Sequence, residues 1–248
     1  MPANRSDKKD VSSRILDAAT RLFAERGFEA TSLQSVADAV GIRKPSLLYH
    51  FPSKDDLRKA VLDNLLAHWN QVLPRLLMAA TSGREQFDAV IKETVAFFTA
   101  DRNRARLLLR EALDRPREMR ALIVGHVRPW ADVVTNYIRR GREAGRVRSD
   151  VDPEAYIVHA INLVVSSIAT YDSIGALGRD GESETESEER NLRRHVDELV
   201  RVARASLFRQ LEALGLAPQA DDEHDSPEHE EDSDETADPV DSGANELP

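Results

Sequence analysis

The sequence predicts an all-α protein. An N-terminal three-helix domain with a helix-turn-helix is followed by a larger C-terminal helical domain. Three observations predict this. Apolar residues recur every three or four positions through most of the chain, as on one face of a helix. Glycines and prolines fall where such stripes end and begin. No segment alternates apolar and polar residues over strand length, and no internal repeat is visible.

Residues 1–10 are polar and are expected to form a disordered arm. Val11, Ile15, Ala19, Leu22 and Phe23 then mark one face of a first helix that ends at Gly27. The stretch from Thr31 to Lys54, TSLQSVADAVGIRKPSLLYHFPSK, organises the rest. Leu33, Val36, Ala37 and Val40 form an apolar stripe. Thr31 before it and Gln34 three residues on make a capping-box pattern. Gly41 supplies the left-handed residue that closes a helix, which glycine adopts at least cost. Pro45 suits the first turn of a new helix, where its missing N–H is not needed. Ser53 with Asp56 caps a fourth helix opening at Lys54. Two short helices around a glycine turn are the helix-turn-helix plan, here at about 32–51 within a domain at 11–54.

The ordered set Gly27-Phe28, Thr31-Ser32-Leu33, Val36-Ala37, Val40-Gly41-Ile42, Lys44-Pro45-Ser46-Leu47, Tyr49-His50-Phe51 and Lys54 with Leu57 resembles the DNA-binding segment of the tetracycline-repressor (TetR) family. Position 48, where family members usually carry an aromatic, is leucine here. The resemblance implies a homodimeric regulator on a palindromic double-stranded operator, with repression relieved by a small-molecule effector. The mechanism it implies is a shift between dimer states that differ in the spacing of their recognition helices.

The remaining chain, 55–215, matches that family in length and helical pattern. The fourth helix buries Leu57, Val61, Leu65 and Trp69, and Pro74 is expected to kink or end it. A fifth helix is expected over about 84–99 and a sixth over about 103–113. A long helix over about 118–143 would carry Pro129 near its middle and Gly145 at its end. Asp152-Pro153-Glu154 starts a very apolar helix over about 153–175. Residues 178–190 read as a loop, and a last helix spans about 188–214. Residues 216–248 read as a disordered acidic tail.

Composition sets further bounds. The chain has 248 residues, 41% of them hydrophobic, and no cysteine, which excludes disulfides and thiolate metal sites. No apolar run reaches bilayer length and no signal peptide is visible, so a cytoplasmic protein without membrane contact is expected. The net charge of −10 looks wrong for a DNA binder until it is divided. Residues 216–248 hold thirteen Asp/Glu and no Lys/Arg, whereas residues 1–54 hold nine Lys/Arg and six Asp/Glu.

Thr31, Ser32, Gln34, Arg43, Lys44, Pro45, Ser46, Tyr49, His50 and Lys54 are the candidate DNA contacts. Lys44 reaches for a guanine edge and Lys54 for a phosphate. Phe97, Glu111, His126, Trp130, Tyr137, Asn162 and Tyr171 are candidates for an effector pocket between helices. His224 and His229 lie among carboxylates but on no folded scaffold, so no metal is expected, and no cofactor. No catalytic constellation or phosphate-binding loop is visible, so no enzyme is expected. The competing reading is a helical interaction or adaptor protein without specific DNA binding.

Overall fold

A computed structural model of the chain describes residues 5–79, 83–175 and 184–209, which lie within one compact unit. Among them the chain forms ten α-helices: α1 Arg5–Arg26, α2 Leu33–Val40, α3 Lys44–His50, α4 Lys54–Ala79, α5 Gly83–Ala100, α6 Arg102–Asp114, α7 Pro116–His126, α8 Arg128–Glu143, α9 Pro153–Ala169 and α10 Glu184–Leu207. The described residues hold no strand beyond an isolated bridge between Val147 and Phe208.

The N-terminal helices close on a small apolar centre. Ile15, Ala19, Leu22 and Phe23 of α1 meet Val36, Ala37 and Val40 of α2, Leu47 of α3 and Leu57 and Val61 of α4, all buried. Each large side chain there contributes roughly 1.5–3 kcal/mol over exposure. Gly41 holds φ 74° and ends α2, and the Ile42 N–H donates back to the Ala37 carbonyl at 3.0 Å. Arg14 donates to the Val40 carbonyl at 2.7 Å, fixing α1 across the end of α2. Ser53 accepts from the Asp56 N–H at 3.0 Å and opens α4 as its sequence indicates.

Beyond this, α1 also packs on α6, α6 lies along α9, and α8 along α9, while α4 runs between the two groups. Asp152 caps α9 by accepting from the Ala155 N–H at 2.7 Å.

Several boundaries differ from the sequence reading. Helix α1 reaches back to Arg5, into the segment expected to be a disordered arm. Extending an existing helix gains one hydrogen bond per residue and needs no apolar stripe. Residues 1–4 lie outside the described residues. Pro74 does not end α4, which continues to Ala79. The carbonyl it leaves without a partner belongs to exposed Asn70, where water can serve it. The expected long helix over 118–143 is two, because Pro129 cannot donate to the carbonyl of Gly125, and the chain turns at Val127. Helix α9 stops at Ala169, where the chain folds back and sets the Tyr171 ring against Gly175. Helix α10 begins inside the expected loop, at Glu184, and stops at Leu207. Residues 208 and 209 follow it outside any helix, and residues 210–214 of its expected span and the acidic tail lie outside the described residues.

Candidate functional site

The short helix α3 is held by one buried residue, Leu47, with Leu48 and His50 half-buried, and presents the rest outward. Arg43 takes the N-cap position without a side-chain cap bond, so its guanidinium is not spent on the helix end. Arg43, Lys44, Pro45, Ser46 and Tyr49 are exposed and His50 is half-buried. Tyr49 is 72% exposed, and its ring stands edge-on to His50 with centroids 5.6 Å apart. Three successive residues at the helix start, two of them cationic and one proline, thus form an outward face.

The start of α2 is built differently from the sequence reading. Ser32, not Thr31, is the N-cap: its hydroxyl accepts from the Ser35 N–H at 3.0 Å, and Ser35 accepts from the Ser32 N–H at 3.2 Å. Thr31 is 1% exposed and donates to the carbonyls of Leu22 and Gly27, so burial removes it from any DNA face. Gln34 is not the box partner either; its amide donates to Asp38 at 2.7 Å on the exposed side. Lys54 Nζ donates to the Glu29 carbonyl at 3.2 Å and lies 4.2 Å from the centre of the Phe28 ring. Its cation therefore has a partner inside the domain.

Phe28 collects two further cations, Arg115 at 4.5 Å and Arg58 at 5.5 Å. Arg58, on α4, donates to Glu111 of α6 at 2.6 Å and also to Glu118 of α7. Arg115 bonds Glu29 at 3.0 Å. The turn between α1 and α2 is thus tied to α4, α6 and α7 by one charged network. Sequence reasoning missed this. Arg58 and Glu111 are 53 residues apart, and no local pattern pairs them.

A cavity of about 140 Å³ lies among α4, α5, α6, α8, α9 and α10. Leu66, Trp69 and Leu73 of α4 form one wall and Phe87, Val90, Ile91, Thr94 and Phe98 of α5 another. Leu108, Trp130, Val134, Tyr137, Tyr156, Ile157, Ile161 and Val164 complete much of it. Burial pushes the Tyr156 phenol up to about 12, and its hydroxyl donates to the Ala203 carbonyl at 2.7 Å. Burial likewise raises the Tyr137 phenol, against a smaller opposing pull from Arg146.

Of the seven candidate pocket residues, the structure brings Trp130 and Tyr137 to this cavity. The other five lie elsewhere. Phe97 turns away to stack on His68 at 4.4 Å, with Arg104 4.5 Å from its ring centre. Glu111 is buried against Arg58. His126 faces Asp63 at 3.1 Å. Asn162 is exposed. Tyr171 packs on Gly175 and tilts against His195, centroids 5.4 Å apart. Polar and aromatic residue types drew attention to these positions, but the cavity is built from aliphatic residues that resemble ordinary core. Among the described residues no group of His, Asp and Glu has the arrangement of a metal site, and no helix is long and apolar enough to cross a membrane.

Comparison with known proteins agrees with this geometry. The family model for bacterial regulatory proteins of the tetR family matches residues 15–61. The model for the tetracyclin repressor-like C-terminal domain matches residues 80–180. The HTH-type transcriptional activator FasR of Mycolicibacterium smegmatis is 30% identical over 151 residues, covering 58% of this chain and 67% of FasR. The HTH-type transcriptional repressor KstR2 of Mycobacterium tuberculosis is 31% identical over 154 residues, covering 56% of this chain and 70% of KstR2. The solved structure of FadR from Bacillus subtilis in complex with stearoyl-CoA has the same fold. Its TM-score is 0.61 at 14% identity, covering 78% of this chain and 98% of that one.

Proposed function

We propose a function that starts from the chain's family: it belongs to the tetracycline-repressor (TetR) family and is a DNA-binding transcriptional regulator. The proposed working form is a cytoplasmic homodimer on a palindromic operator, released by an apolar small molecule. In this reading residues 11–54 form the DNA-binding domain and 55–215 the effector and dimerisation domain. Ser32, Gln34, Arg43, Lys44, Pro45, Ser46, Tyr49 and His50 form the DNA face, and Lys54 steadies it from behind.

The observation that carries the reading is the position of α4. It begins at Lys54, four residues after the end of the recognition helix, and its later turns form a cavity wall through Leu66, Trp69 and Leu73. Leu66 lies eight residues beyond Arg58, roughly 12 Å along the axis. A ligand that separates α4 from α5 and α9 therefore acts on the helix that carries the DNA-binding domain. Such a ligand shifts the equilibrium only by its differential affinity for the two states.

The dimer is proposed through α9 and α10. Val158, Ile174 and Val202 are 56%, 61% and 40% exposed on or beside these helices. Two helices from each subunit would cover them as a four-helix interface.

The test has two parts. Sedimentation at micromolar concentration is expected to give twice 27.7 kDa. Selection from a random DNA library is expected to enrich an inverted repeat. A monomer that enriches no sequence would favour the adaptor reading instead.

A further inference from the structure

The cavity that the proposed function assigns to the effector also specifies what kind of molecule it takes. Its lining, among the described residues, includes no Lys, Arg, Asp, Glu or His. An ionised carboxylate placed there would have no counter-charge, and burying one without a partner costs several kcal/mol. The polar groups on the wall are mostly engaged already. Thr94 donates to the Val90 carbonyl at 2.7 Å, and Tyr156 donates to the Ala203 carbonyl. Gln86 is engaged as well. Both cavity phenols stay neutral at physiological pH, because burial raises them further above their ordinary range.

Trp130 differs from these. Its indole lines the cavity, and Nε1 is enclosed, with no hydrogen-bond acceptor among the described residues. Buried donors in native proteins are nearly always satisfied, and Nε1 is closed even to water, so an acceptor from outside the protein fold reaches it only when the ring turns or the helices part. A site built around one polar contact also rejects a ligand that lacks it, because the donor is then left unpaired. The wall around the indole is aliphatic and aromatic, which suits a hydrocarbon body. The volume, about 140 Å³, is close to that of a void that admits a benzene-sized guest, so the body is slim or the helices part to receive it.

We propose that this cavity takes an uncharged, largely hydrocarbon ligand with a single carbonyl-type acceptor, and that the Trp130 indole N–H donates to that acceptor. The inference rests on the cavity being the effector site. An acyl ester or thioester and a steroid ketone share this chemistry, whereas a free fatty acid does not.

The chain has two tryptophans, Trp69 and Trp130, and both line the cavity, so intrinsic emission reports directly on occupancy. The full chain is titrated with methyl decanoate, decanoate at pH 8, decane and the monoketone 5α-androst-16-en-3-one, with thermal unfolding as a second readout. Methyl decanoate or the monoketone is expected to bind at least about tenfold more tightly than decanoate. Whichever of the two binds more tightly identifies a chain or a fused-ring body.

Trp130→Phe keeps a ring in place, removes the donor and leaves Trp69 to report. It is expected to weaken the carbonyl probes about 3- to 10-fold while leaving decane within about twofold. It is also expected not to lower the melting temperature of the free protein, since it removes an unpaired donor. Equal loss for decane and the carbonyl probes would make Trp130 a packing residue and overturn the proposal. Tightest binding by decanoate would overturn it too, while leaving the cavity as the effector site. No response to any probe would instead fail the effector-cavity reading on which it rests.

Discussion

Arg58 is 8% exposed and Glu111 only 4%, so the pair places two full charges inside the protein. Burial works against the charged guanidinium, but hydrogen bonds and charge from Glu111 and then Glu118 outweigh it and raise the Arg58 pKa above the usual arginine range. Buried ion pairs gain little net stability over apolar replacements, yet removing one partner leaves the other uncompensated. Arg58→Met is therefore expected to cost about 3–5 kcal/mol in denaturant unfolding. The double substitution Arg58→Met with Glu111→Leu is expected to recover most of that loss. A single variant as stable as the parent would mean that Glu111 finds another partner or protonates without cost. Glu118 supplies the pH dependence. The Arg58 hydrogen bond, with help from the charges of Arg58 and Arg115, holds its carboxyl below its ordinary value of 4.5. A lowered folded-state pKa adds stability that is fully present above pH 4.5 and is lost as pH falls through the lowered value. Glu118→Gln is expected to flatten that acid limb in thermal melts taken across it, and to leave the neutral plateau with the same slope.

At the scale of elements, α3 and the start of α4 put two lysines to different uses. Lys44 is exposed in the first turn of α3, whereas Lys54 holds the Glu29 carbonyl and the Phe28 ring. Lys44→Ala is expected to weaken specific DNA binding by roughly 1–3 kcal/mol, and random DNA much less. Lys54→Ala is expected to weaken both alike and, because its cation is held by the Glu29 carbonyl and the Phe28 ring rather than by a phosphate, to leave the salt slope nearly unchanged. Equal losses for the two variants on both kinds of DNA would remove the distinction. The elements themselves were legible where their signals are local. Gly41, the Ser53–Asp56 cap and the Asp152–Pro153 start each act within four residues, and the structure forms all three. Trp130 and Tyr137 are seven residues apart on α8 and both line the cavity, although residue type alone points to them. Thr31 shows where local reading stops. A threonine three residues before Gln34 has the capping pattern, but carbonyls of Leu22 and Gly27, nine and four residues earlier, claim its hydroxyl. The Arg58–Glu111 pair and the cation cluster on Phe28 were not legible at all, because their partners meet only after α1, α4, α6 and α7 have packed.

At the scale of the whole molecule, charge is divided along the chain. Residues 216–248 hold thirteen Asp/Glu and no Lys/Arg, while the first 54 residues carry nine Lys/Arg against six Asp/Glu. The acidic segment lies outside the described residues, but its charge and its covalent tether follow from the sequence. A covalently attached polyanion has a high effective concentration near its own domain and competes for cations that also meet phosphate. Arg43 and Lys44 are the exposed cations at the start of α3 that such a competitor would meet. It resembles nucleic acid in charge only and has no base edges to offer, so it suppresses random binding more than specific binding, which adds direct base contacts. Removing residues 217–248 is thus expected to tighten binding to random DNA at low salt, with a smaller gain on the selected operator. The gain is expected to vanish at high salt, because exposed charges are screened beyond about 10 Å at 0.1 M and closer still at 1 M. If the truncated chain binds random DNA no more tightly than the full chain, the acidic segment serves solubility and leaves the DNA face alone.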